Sequence, residues 1–144
     1  LELTGERSIP ASRERVWEAL NDPEILRQCI TGCEAIDKIS DEEMNAQVTA
    51  KFGPVKAKFK AKILIENADP PNGYRLTGEG QGGVAGFAKG GADVALESEG
   101  EGTLLKYQAD MQVGGKLAQI GSRLVSGTTN KIVEDFFEKF SKIV

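Results

Sequence analysis

The chain has 144 residues, 40% hydrophobic and 28% charged, with a formal net charge of −4 at pH 7 and no histidine. A chain of this length makes one domain that buries a single core or encloses one cavity. Its acidic balance speaks against nucleic acid, whose phosphates need a basic face, and the missing histidine removes every Ser-His and Cys-His nucleophilic mechanism.

In chain order, Leu1, Leu3 and Ile9 alternate with polar residues, which predicts an imperfect edge strand that ends at Pro10. Ser12 suits the N-cap of a short helix presenting Val16, Trp17 and Leu20. Asp22 caps a second helix with Pro23 at its first position, running through Ile25, Leu26, Cys29 and Ile30 to Gly32. From Cys33 to Val113 the period falls to two. Met44 to Phe52, a Gly53-Pro54 turn and Val55 to Ile65 make a hairpin, with Lys51, Lys56, Lys58, Lys60 and Lys62 on its outward face. Pro70-Pro71-Asn72-Gly73 turns the chain again, residues 97–102 turn it once more, and Leu105, Tyr107, Ala109, Met111 and Val113 close the series. After Gly114-Gly115 the period returns to 3.6, and one stripe from Leu117 to Ile143 predicts a helix of nearly 30 residues, roughly 40 Å long, softened near Gly127. The order strand, two short helices, about six antiparallel strands and one long helix implies an α+β fold: a curved antiparallel sheet wrapped around the last helix.

No apolar run approaches the roughly 18 residues of a membrane span, and the first ten residues have neither a basic region nor an apolar one of the signal-peptide kind. A cytoplasmic location is expected. Residues 78–91 contain seven glycines, and Gly78, Gly80 and Gly83 satisfy the G-x-G-x-x-G pattern. That pattern holds a pyrophosphate only where a helix follows, and here the period after it is that of a strand, so no dinucleotide cofactor is expected. Cys29 and Cys33 lack histidine partners for zinc and have poor spacing for a disulfide at a helix end, so two reduced, largely buried thiols and no metal are expected. Glu97, Glu99 and Glu101 fall in a turn sequence where solvated carboxylates have no reason to be activated, so no catalytic residue is assigned. The inward set of the central strands is small, with Ala46, Ala50, Ala57, Ala61, Gly78, Gly80, Ala88, Gly90, Ala92 and Ala109. Such a wall favours an apolar pocket under the helix over the alternative, a helix seated closer with Phe52, Phe59, Phe87, Tyr107 and Phe136 filling the gap.

Several blocks carry a resemblance: Asp22-Pro23-Glu24-Ile25-Leu26 running into Cys29-Ile30-Thr31-Gly32-Cys33-Glu34, then Gly53-Pro54-Val55-Lys56, residues 82–90 and residues 114–124. Together they are similar to the CoxG-like family of carbon monoxide dehydrogenase subunits, part of the helix-grip superfamily that includes START and Bet v 1-like proteins. Thr31 departs from the proline typical there, and many members carry a C-terminal extension that reaches the membrane, whereas this sequence stops at Val144. The resemblance implies a non-catalytic accessory protein of a molybdenum hydroxylase of the carbon monoxide dehydrogenase type. It further implies peripheral contact with the inner face of the membrane and, in some members, a lipid or quinone-like molecule in the grip cavity. The residues expected to line that cavity are Leu26, Ile30, Phe52, Phe59, Tyr74 and Phe87, with Tyr107, Met111, Leu117, Ile120 and Leu124; Tyr107 can donate a hydrogen bond to a carbonyl headgroup. The segment Gly82 to Phe87 is the expected lip. Arg123 suits either solvent or an anionic headgroup, and the lysine row either a solvated face or an anionic surface. Two other readings stay open: an assembly factor with a vestigial cavity and an exposed apolar patch around Phe137, and a helix-grip enzyme with converging ionisable groups in the cavity.

Overall fold

The computed structural model describes residues 1–144. Seven strands form one antiparallel sheet: β1 (Glu2–Ile9), β2 (Cys33–Ser40), β3 (Glu43–Phe52), β4 (Val55–Asp69), β5 (Gly73–Gln81), β6 (Phe87–Glu99) and β7 (Gly102–Gly114), in the order β1-β7-β6-β5-β4-β3-β2. The first two strands are therefore opposite edges, and the chain crosses from one to the other through α1 (Arg13–Leu20) and α2 (Pro23–Cys29). Both short helices start where their caps dictate. The Arg15 N–H donates to Ser12 Oγ at 3.2 Å, and the Glu24 N–H to Asp22 Oδ1 at 2.9 Å, satisfying amides that the first turn leaves without partners.

The alternation of the sheet sets its two faces. Met44, Phe52, Phe59, Ile65, Tyr74 and Leu96 are buried on the concave side, while Lys51, Lys56, Lys58, Lys60 and Lys62 are exposed on the convex side. Glu97 and Glu99 belong to β6 rather than to a turn. Glu97 pairs with Lys106 at 3.1 Å, and Ser8 Oγ donates to Glu99 at 2.9 Å, so cross-strand partners extend the ladder to the tight reversal at Gly100.

The C-terminal helix is not one piece. A single turn, α3 (Lys116–Gln119), is followed by α4 (Ser122–Ile143), with the break at Gly121, whose φ of 100° lies outside the helical region. The softening expected at Gly127 does not occur. The apolar stripe runs on across the break, which is why periodicity alone merges the two segments. Only Val125 and Phe140 of α4 are fully buried, one near each end.

Two hydrophobic clusters result. The larger joins α1, α2, the ends of the strands and Phe140; the smaller joins Phe52, Phe59, Ala85 and Leu117 at the opposite end of the groove. The glycine-rich run occupies β5, one 3-10 turn (Gly83–Ala85) and β6, so no helix N-terminus follows it and the dinucleotide pattern has no phosphate cradle.

Glycines on the inner wall differ in kind. A Cβ at Gly90 would collide with the Asp110 carbonyl oxygen, so β6 and β7 approach there as only glycine allows. A Cβ at Gly78 would meet nothing nearer than 3.9 Å. Gly90→Ala is expected to cost about 1–3 kcal/mol, and Gly78→Ala to be neutral or slightly stabilising, read as urea midpoints. The reverse order would contradict the strand geometry.

Candidate functional site

Between α4 and the concave face lies a cavity of about 300 Å³ whose 18 lining residues are all hydrophobic. β4 and β5 supply Ile63, Ile65, Tyr74 and Leu76; β6 and β7 supply Ala92, Val94, Leu105, Tyr107 and Ala109. The roof is Ile132, Val133, Phe136 and Phe137 of α4, and Leu20, Leu26 and Ile30 close the end beneath the short helices. Ala92 and Ala109 face each other across the β6–β7 ladder, and their small side chains create volume where larger ones would touch the roof. A second recess of about 330 Å³ continues the space past Leu3, Ile63 and Leu76 to Gly78, Gly90, Met111 and Thr129. The two spaces share five wall residues, Leu3, Ile63, Leu76, Ala92 and Ala109, so the groove is elongated.

Another concavity, of about 520 Å³, lies elsewhere, on the convex face among Asp37, Asn45, Gln47, Lys60, Lys62 and Glu79. Its walls are long polar side chains open to water, the ordinary relief of a coiled sheet. The apolar space beneath α4 is the better site because its walls are wholly hydrophobic and cover an apolar ligand on several sides.

The aromatic roof is ordered by stacking. Phe136 stacks on Phe140 at 5.5 Å, Phe137 on Tyr107 at 5.7 Å, and the Arg7 guanidinium sits 5.4 Å over the outer face of Phe137. Arg7 is the one cation on the concave side of β1; it forms no ion pair and donates to its own neighbour, the Glu6 carbonyl, at 3.0 Å. Phe137 is thereby turned into the cavity wall and is not the centre of an exposed patch.

Of the residues expected to line the cavity, Leu26, Ile30, Tyr74 and Tyr107 stand on its wall, and Met111 lines the adjoining recess. Phe52, Phe59, Leu117 and Ile120 do not; they pack together as the second cluster. Phe52 and Phe59 meet edge to face at 6.3 Å. They share the inward face with Ile63 and Ile65 but lie at the other end of their strands, a distinction that period two does not carry. Phe87 lies over Gly114, and Leu124 is 44% exposed beside Gly53. The segment from Gly82 to Phe87 closes over the second cluster through buried Ala85, with Val84 projecting 86% exposed. Two of the wall residues not singled out had a signal in the periodicity: Leu105 belongs to the inward set of β7, and Ile132 to the apolar stripe of α4.

No carboxylate or lysine lines the apolar cavity, and no three acidic or cysteine side chains come together as a metal-binding group. Glu97, Glu99 and Glu101 are exposed at the far tip of β6–β7. Cys29 is fully buried and Cys33 half-buried, both as free thiols, and burial pushes both thiol pKa values up. Arg123 is exposed with no ion pair; Lys58 pairs with Glu34 at 3.1 Å and Lys62 with Glu43 at 3.8 Å, leaving Lys51, Lys56 and Lys60 unpaired.

A seven-stranded curved antiparallel sheet closed by a long C-terminal helix over an apolar groove defines the Bet v 1-like helix-grip class. The structure of Ara h 8.0201 superposes with a TM-score of 0.68 at 12% identity, covering 99% of this chain and 96% of that one. A Thermus thermophilus protein does so with a TM-score of 0.71 at 18% identity, covering 99% and 95%. Closer in sequence is a conserved protein from Geobacillus kaustophilus, with TM-score 0.91 and 34% identity over 99% of this chain and 93% of that one. No curated protein matches the chain. The family profile of CoxG, the G subunit of carbon monoxide dehydrogenase, matches residues 5–144, and the chain belongs to that family. No helix is long and apolar enough to cross a membrane.

The thiols give a direct check on this geometry. Iodoacetamide should modify Cys33 slowly and Cys29 only after unfolding. Because burial raises both pKa values above the ordinary thiol value of about 8.5, the Cys33 rate should still be climbing at a pH of about 9. Rapid labelling of Cys29 in the folded protein near neutral pH would mean that α2 does not pack as described.

Proposed function

We propose that this protein holds an apolar small molecule, of lipid or quinone-like character, beneath α4 and catalyses no reaction of its own. It acts as an accessory protein of a molybdenum hydroxylase of the carbon monoxide dehydrogenase type, in peripheral contact with a membrane. The observation that carries this reading is the elongated groove, whose inner chamber is lined wholly by hydrophobic side chains and contains no pair of converging ionisable groups. Membership of the CoxG family supports the accessory role. The assembly-factor reading loses its main support because Phe137 faces Tyr107 and the cavity.

Membrane contact is supported by one end of the molecule. Val84 and Leu124 are exposed there, near the Gly53-Pro54 turn, where Lys51 and Lys56 stand opposite each other on β3 and β4. Like charges placed directly opposite cost stability in a sheet, and an anionic surface removes that cost. Aliphatic tips set among unpaired cations, Arg123 included, suit the headgroup boundary of an anionic leaflet.

Native mass spectrometry of the purified protein, with organic extraction, should reveal a co-purifying apolar molecule. Ala109→Phe, which fills the groove where its two spaces meet, should reduce occupancy at least about tenfold while the unfolding free energy stays within about 1 kcal/mol of the parent. A parent protein with no such molecule and a solid core would sink the carrier reading. For the membrane, the double variant Val84→Asp/Leu124→Asp should lose sedimentation with phosphatidylserine vesicles, and the parent's binding should weaken with salt. Binding unchanged by both would place the contact elsewhere.

A further inference from the structure

The cavity lining has two side-chain polar atoms, the hydroxyls of Tyr74 and Tyr107, and their surroundings differ. Tyr107 is half-buried at the rim. Its hydroxyl lies over Gly5 of the edge strand, 2.5 Å from where a Cβ would stand, and its ring is held between β1 and Phe137. Tyr74 is 7% exposed, at the inner end of the groove, with Trp17 packed edge-on at 5.2 Å. Its hydroxyl makes no hydrogen bond to the protein, yet the only fully sealed polar side-chain atom without a partner is Arg13 Nε. The Tyr74 hydroxyl is therefore not sealed in by protein atoms, and Tyr74 is one of the residues that line the cavity. Burial alone raises its pKa, so the phenol stays a neutral donor.

A buried hydroxyl without a partner is unfavourable, and a water molecule is a poor remedy here. Water in a protein interior needs about two to four polar partners, and apart from Tyr107 at the rim no other side chain of the inner cavity supplies one. An acceptor carried on an apolar molecule satisfies the phenol and keeps every other wall contact apolar. We propose that Tyr74 Oη donates a hydrogen bond to the occupant of the cavity, and that the cavity selects apolar molecules bearing one carbonyl-type acceptor over pure hydrocarbons. This rests on the carrier reading above and adds the polarity and orientation of the ligand: acceptor inward beneath α1 and α2, apolar remainder toward the recess at Gly78 and Met111. It also moves the hydrogen-bonding role from Tyr107 to Tyr74.

The test uses two near-isosteric probes, 2-acetylnaphthalene and 2-isopropenylnaphthalene, titrated into parent, Tyr74→Phe and Tyr107→Phe proteins freed of bound lipid. In the parent the ketone should bind about three- to tenfold more tightly than the alkene, with its carbonyl stretch moved to lower wavenumber. Tyr74→Phe should abolish both the preference and the shift; Tyr107→Phe should leave both. The Tyr74→Phe protein should also be at least as stable as the parent, since no protein hydrogen bond is lost. Equal binding of the two probes by the parent, a preference that survives Tyr74→Phe, one that disappears with Tyr107→Phe, or a marked loss of stability in Tyr74→Phe would each overturn the assignment while leaving the cavity reading standing. If neither probe binds the parent, the carrier reading fails and takes this assignment with it.

Discussion

The long helix is held at its ends and spans its middle. Phe140 locks the C-terminal end of α4 into the larger cluster, and Val125 secures the other end just past the turn that Leu117 anchors. Between them, Thr128, Thr129, Ile132, Val133 and Phe136 are only half-buried, because the sheet beneath them offers alanine and glycine. Backbone hydrogen bonds of α4 close within the helix, so the span needs no support from the sheet to keep its shape. The cavity is what remains when a stiff element rests on two packed ends over a wall of small residues.

The break at Gly121 makes that support geometry possible. A continuous helix from Lys116 would fix the direction of Leu117 relative to Val125. The positive φ instead lets α3 dip into the second cluster while α4 starts afresh across the groove. Leu117 is fully buried while Leu124, two turns on, is half out in solvent. One glycine thus separates an anchoring turn from a spanning helix.

Element order, caps, hairpin faces and the long helix were legible in the sequence because each rests on a local rule. Ser12 and Asp22 cap as their side chains require, and period two correctly assigns Tyr74, Ile63 and Leu96 inward. What period two does not encode is position along the groove. Phe52 and Phe59 face the same way as Ile65 yet pack around Leu117, because the cavity's limits depend on where α4 crosses, a long-range property. Phe137 lies off the helical stripe and still faces inward, held by Tyr107 below and Arg7 outside. Nor does the pattern distinguish a glycine required by close backbones, Gly90, from one that merely leaves room, Gly78.

A helix resting on two supports also has a volumetric signature. The folded chain carries within it space that its own atoms do not fill, and unfolding erases that space, so the system shrinks when the chain unfolds. Hydrostatic pressure therefore acts on this fold through its unfilled middle rather than its tightly packed ends. A guest lodged under α4 removes the same volume without unfolding anything, which makes compressibility a property that the occupant, and not the chain alone, determines.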